Sequence, residues 1–226
     1  MNRWAWTFVA AAACTSCSSV SKITDSELSS GVYLLPASGE RGEKTKQRVY
    51  LEEAGDSTSY KPIDKHQVAT GPAVRVTSGQ VFQKPSFDID VLVVVFKYRP
   101  GLASVPSQLT TDFNGNLFLG YRRDWYSVTD KSTPYGWKRK VSQKSISVGG
   151  FAGIGTTFVS PWTTNHRTTD EYSGFILSKG VSAMVGVKSL TVGLGVGWDN
   201  LVDRDKDIWV YQFKPWYGLS LSLNLN

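Results

Sequence analysis

The chain has 226 residues, with 25 Lys and Arg against 19 Asp and Glu, a formal charge of +6, two cysteines and two histidines. That length allows one moderate domain with an extension, and so modest a positive excess, smaller by one once Arg3 leaves with the leader, implies no nucleic-acid partner. Both cysteines, Cys14 and Cys17, lie in the leader, so the rest of the chain holds no intramolecular disulfide and no thiolate metal site.

Met1-Asn2-Arg3 forms a short basic region, and Trp4 to Ala13 is apolar except for Thr7. Ten apolar residues are too few to span a bilayer, so residues 1–17 read as an export signal. Small residues followed by cysteine resemble the lipobox of bacterial lipoproteins, in which the cysteine becomes the lipidated first residue. Cys17 is the favoured acylation site and Cys14 the alternative; neither has the usual Leu three residues before it, which leaves an ordinary signal peptide open.

Residues 18–85 are polar and read as an extension able to donate one or two strands. Short strands are expected at Gly31 to Pro36, Gln47 to Glu53 and Ala73 to Phe82, separated by Gly, Ser, Pro and mixed charges. From Ser86 onward a period of two dominates. Phe87, Ile89, Val91, Val93 and Val95 share one face of the first long strand, and Asp88, Asp90, Leu92, Val94 and Phe96 the other. The second strand runs from Asn116 to about Tyr126, the third from Lys144 to Phe158, and the fourth from Tyr172 to Val187. Lys188-Ser189 is a tight turn into the fifth, Leu190 to Asp199, and the sixth is Tyr217 to Asn226, Tyr217-Gly218-Leu219-Ser220-Leu221-Ser222-Leu223-Asn224-Leu225-Asn226.

In the fifth and sixth strands large apolar side chains alternate with Gly, Ser, Thr, Asn or Asp, which places an oily face against a small, polar one. A soluble sandwich carries long charged side chains opposite its core; the small polar face suits the lumen of a narrow closed barrel in lipid. The expected fold is therefore all-β, a small antiparallel up-and-down membrane barrel over residues 86–226, with two extension strands bringing the count to about eight. Trp125, Trp137, Trp162, Trp198, Trp209 and Trp216 mostly fall near strand ends, where indoles prefer the headgroup level. Long connections after Arg99, Tyr126 and Phe158 depart from the usual alternation of long loops and short turns.

Phe87-Asp88-Ile89-Asp90, Phe96-Lys97-Tyr98-Arg99-Pro100, Asn114-Gly115-Asn116, Gly120-Tyr121-Arg122, Ser178-Lys179-Gly180 and Gly195-Val196-Gly197-Trp198-Asp199 together resemble an uncharacterised family of exported Bacteroidota outer-membrane proteins. The resemblance covers roughly residues 85 to 226 and implies an outer-membrane location. It brings no catalytic residue with it.

Motifs for chemistry are few. His66 and His166 cannot build a histidine-rich metal site, and no cofactor and no metal are expected. His166, in Asn165-His166-Arg167-Thr168-Thr169-Asp170-Glu171, reads as a solvated loop residue, with a lipid-modifying barrel hydrolase as the weaker alternative. Gly149-Gly150, Gly153 and Gly155 lie in a strand-period segment without a following helix, so they read as relief of crowding and not as a phosphate loop. Asp88 and Asp90 share the lumen face, where Arg122 from a neighbouring strand can pair with one of them.

Between Tyr121 and Lys144, seven basic residues (Arg122, Arg123, Lys131, Lys138, Arg139, Lys140, Lys144) outnumber Asp124 and Asp130. Lys138, Arg139, Lys140, Arg122 and Arg123 are the candidate anionic-lipid-binding residues, with membrane lipids, lipopolysaccharide among them, as partners; a solubilising loop is the plain alternative. The expected function is a structural or binding component of the bacterial outer membrane without catalysis. The rival is a periplasmic or surface lipoprotein carrying a soluble β-sandwich.

Overall fold

The computed structural model describes residues 28–38, 44–54, 57–64, 67–102, 105–134, 136–187 and 190–224. The protein is all-β and antiparallel. Its strands are β1 (Gly31–Ser38), β2 (Lys44–Ala54), β3 (Ser57–Asp64), β4 (Gln67–Val68), β5 (Val74–Arg75), β6 (Val81–Arg99), β7 (Gln108–Thr110), β8 (Asn114–Thr133), β9 (Gly136–Val159), β10 (Tyr172–Val187), β11 (Leu190–Leu201) and β12 (Pro215–Asn224). Among the described residues no helix is long and apolar enough to cross a membrane.

Six strands bond in a ring. β6 pairs with β8, β8 with β9, β9 with β10, β10 with β11 and β11 with β12, and β12 pairs back onto β6 from Asn224↔Asp90 to Tyr217↔Tyr98. Because β12 takes that edge directly, no gap is left for the extension. The expectation of about eight strands, two of them donated, is thereby corrected to six ring strands and an outlying sheet.

The extension continues the same sheet below the ring. β1 pairs with β6 at Leu34↔Gln83, and β2 and β3 follow outward from it. Its own apolar core gathers Leu28, Tyr33, Val49, Leu51, Val76, Phe82 and Val128, with Tyr33 edge-on to both Phe82 and Tyr126. The boundary expected near Lys84-Pro85 falls inside β6, whose 19 residues serve both storeys. Pro85 sits between the pairing of β6 with β1 and its pairing with β12, where a strand residue without an N–H is tolerated. The strand expected from Ala73 to Phe82 is reduced to Val74–Arg75 before β6 begins, and β3 was not foreseen.

β8 runs seven residues past Tyr126 to Thr133 and turns directly into β9, so the expected long connection there is a hairpin. The five connections consequently sort by end. Segments 100–113, 160–171 and 202–214 join the strands at the upper end, and at the lower end only two residues separate β8 from β9 and β10 from β11.

Candidate functional site

Alternation decides what each ring strand puts inside. Asp88, Asp90, Leu92 and Val94 of β6 are buried, whereas Phe87, Ile89, Val91 and Val93 are exposed. A bulge then intervenes: Leu219 faces Phe96 while Ser220 faces Val94, leaving Val95 as the extra residue. The bulge inverts the alternation, as one inserted residue must. Phe96, expected inside, is exposed, and Lys97 and Arg99 enter the interior.

There they form the upper ionic layer. Lys97 Nζ donates to both carboxylate oxygens of Asp199 at 2.9 Å and to Asn114 Oδ1 at 2.6 Å. Arg99 Nη2 reaches Asp199 Oδ2 at 2.6 Å and its Nη1 donates to Thr157 Oγ1 at 3.2 Å, while Ser178 Oγ donates to Asp199 Oδ1 at 2.7 Å. Lys97 Nζ lies 4.5 Å from the centre of the Trp216 ring, and the Arg99 guanidinium lies 5.4 and 5.5 Å from those of Trp209 and Tyr211. The aromatics thus hold the cations from the apolar side. Burial pushes the Tyr211 phenol up, against the opposing pull of Arg99. Segment 202–214 caps this layer, with Trp209 and Tyr211 packed on Val105, Val159, Ile176 and Leu201.

The middle of the ring is filled by Leu92, Val94, Phe118, Phe151, Met184 and Trp216. Glycines opposite make the room. A Cβ on Gly120 would lie 2.7 Å from Phe118 Cζ, one on Gly180 2.6 Å from Phe151 Cζ, and one on Gly218 2.7 Å from Trp216 Cζ3. The crowding-relief reading fits Gly149, Gly153 and Gly155, where a Cβ would run into Leu119 O, Gly115 O and Asn114 Oδ1 respectively; it does not fit Gly150, which faces outward and would meet nothing closer than Gly180 O at 3.6 Å.

Below it lies a second ionic layer. Arg122 Nη1 is 3.5 Å from Asp88 Oδ1 and its Nε donates to Asp124 Oδ1 at 3.0 Å. Gln143 Nε2 donates to the same Asp124 oxygen at 2.8 Å, and Ser222 Oγ to Asp90 Oδ2 at 2.9 Å.

The outside of the ring is the converse. Leu194 is 69% exposed, Phe87 64% and Val185 60%, and Leu117, Leu119, Val148, Ile154, Leu177, Val181, Tyr217 and Leu221 are exposed with them. Every ring strand contributes, so the apolar belt encircles the ring.

The basic run divides by face. Arg123, Lys131, Lys138, Lys140 and Lys144 share the outward parity of β8 and β9, directly below the belt, together with Trp125. Arg139 lies on the other face and pairs with Asp130 at 3.2 Å. Arg122 is buried in the interior; as a member of a surface lipid-binding set it is corrected, because its strand parity turns it inward onto Asp88 and Asp124. Its expected pairing with a lumen aspartate is present. Lys46, Arg48 and Lys61 extend the outward basic face across β2 and β3, on the parity of exposed Tyr50. The missed signal was that parity, counted across the hairpin turn.

The tryptophans also divide. Trp137 and Trp162 are exposed, whereas Trp209 and Trp216 are buried, so those two plug the ring instead of marking an interface. His166 is exposed with a left-handed backbone (φ 58°) and stands 5.0 Å from Trp162, ring centre to ring centre. Asp170 beside it pairs with Arg204. Cys14, Cys17 and His66 lie outside the described residues. Among those that are described, no group of His, Cys, Asp and Glu is placed to hold a metal ion.

Comparison with protein-family models, with curated proteins and with solved structures finds no match to this chain.

Proposed function

We propose that the ring is a transmembrane β-barrel of the bacterial outer membrane, acting as a structural or binding component without a catalytic step. One observation carries the reading: an apolar belt to which every ring strand contributes encircles a ring whose backbone hydrogen bonds close on themselves. Only helices and closed rings satisfy every backbone group in hydrocarbon. From Phe175 to Val187, β10 covers about 40 Å of strand at about 3.3 Å per residue, and a tilt of about 40° turns this into about 30 Å of height, against an apolar band of about 25 Å. Six strands enclose less space than the eight of the smallest common barrels, and glycines facing aromatics make the narrower ring possible.

The connections orient it. Short turns and both chain ends belong to the periplasmic end of such barrels, and long loops to the exterior. Segments 100–113, 160–171 and 202–214 then face outward from the cell, and the extension faces the periplasm. The outward lysines of β8 and β9 meet the headgroups of the inner leaflet, so their anionic partner is phospholipid in preference to lipopolysaccharide. Acylation at Cys17 and the likeness to exported Bacteroidota proteins are compatible with that placement.

A soluble, tethered domain is the second reading, favoured by the separate apolar core of the extension. Carbonate washing and unheated gels separate the two. A barrel stays in the membrane pellet and migrates anomalously until boiled; release into the wash with no mobility shift overturns the membrane reading.

A further inference from the structure

The belt has one polar interruption. Among the described outward positions of the ring strands above Arg123 and Lys144, Lys179 is the only charged side chain. It lies in the middle of β10, paired with Ala152 of β9 on one side and Trp198 of β11 on the other. Next to it, Gly150 of β9 pairs with Leu119 of β8 and Val181 of β10, and Ala152 pairs with Leu117. Two small residues between rows of larger ones leave a depression of about 550 Å³, walled by Leu117, Leu119 and Val181 and headed by Lys179 and Trp198.

A charge on a lipid-facing strand is unfavourable, increasingly so toward the bilayer centre. Lys179 lies several residues nearer the long-loop end than Val187, the lower limit of the belt on β10. From there its four-carbon stem can carry the ammonium toward the headgroups, where the Trp198 indole is also at home.

We propose that this depression is a binding site for one anionic membrane lipid, its acyl chain lying over Gly150 and Ala152 and its uncompensated headgroup phosphate paired with Lys179. The inference rests on the membrane reading above. Shape and charge point the same way: the floor is apolar and chain-wide, and the single cation stands at the end nearer the membrane surface. A neutral zwitterionic lipid fills the groove equally well but gains less from Lys179.

Native mass spectrometry of the folded, full-length protein in detergent tests it, with dioleoyl-phosphatidylglycerol and dioleoyl-phosphatidylcholine as probes. The parent is expected to retain one phosphatidylglycerol at roughly tenfold lower lipid concentration than phosphatidylcholine. Lys179→Gln should remove that preference. Gly150→Val should weaken both lipids several-fold; a Cβ at Gly150 meets nothing closer than Gly180 O at 3.6 Å, so the fold accommodates it. Ala152→Val is the second groove-filling variant. Equal retention of the two lipids by the parent, or an undiminished preference in Lys179→Gln, overturns the lipid site while leaving the barrel intact. A parent protein that stays soluble without detergent overturns the membrane reading and the site with it.

Discussion

Arg99 and Asp199 stand 100 residues apart in the chain, yet Arg99 Nη2 and Asp199 Oδ2 lie 2.6 Å apart inside the ring, across the interior from one another with β12 between their strands. Asp199 is the single carboxylate that Lys97, Arg99 and Ser178 all address. Two cations therefore depend on one anion.

Replacing Asp199 with Asn should destabilise the fold far more than its one-atom change suggests. Stripping a buried pair of one partner leaves uncompensated charge and costs about 3–5 kcal/mol. Ser178→Ala, which removes one hydrogen bond to the same carboxylate, should cost about 1–3 kcal/mol. Urea titration of heat-modifiability, read as folded fraction on unheated gels, ranks the two; equal midpoints would refute the shared-anion account.

Leu194→Arg tests the outer face. In a bilayer the substitution should cost roughly 2–4 kcal/mol, whereas on a water-exposed sheet face it should be nearly neutral. Refolding yield into phosphatidylcholine vesicles, compared with stability in detergent-free buffer, distinguishes the outcomes.

Glycine positions should split by direction. Gly180→Ala drives a methyl onto the backbone carbonyl of Val196 as well as toward Phe151, and overpacking of that kind costs about 1–3 kcal/mol. Gly150→Ala adds a methyl at ordinary van der Waals distance, 3.6 Å from Gly180 O, and should be neutral or slightly stabilising, since it trades backbone freedom for a side chain. A thermal melt of the two variants in the same detergent settles the order.

Neutralising Lys138, Lys140 and Lys144 to Gln should weaken association with phosphatidylglycerol vesicles, and added salt should produce the same loss in the parent. Arg139→Gln should do less, because that side chain lies on the opposite face with Asp130. Flotation assays at low and high salt report both effects. Parent-like binding by the triple variant at low salt would reduce the row to a solvated face.

Ring strands were legible in the sequence because their two faces meet different surroundings, so alternation survives from Phe87 to Ser222. The same alternation set Asp199 beside Gly197 and Gly195 on the small face, and it would have placed Trp216 there with Gly218 and Ser220. Proximity to a strand end suggested an interface instead. Lys97 and Arg99 were hidden by the bulge at Val95, which no local composition announces. The lower halves of β8 and β9 lacked a signal for a different reason: from Ser127 to Gln143 both faces carry polar residues, and only Val128 and Val141 turn toward the extension core, too few to set a period.

Closure of the ring sets a timetable for folding. Asp90 and Ser222, joined across the β6–β12 seam, are separated by 132 residues, so the seam is the most non-local pairing in the molecule. β12 is translated after every other ring strand, and until it arrives β6 presents an unpaired edge, which is a template for wrong partners. Non-local strand pairing is slow because a long loop must close before its contacts form. The ring therefore stays an unsealed sheet, with the edge of β6 open, until its final strand docks.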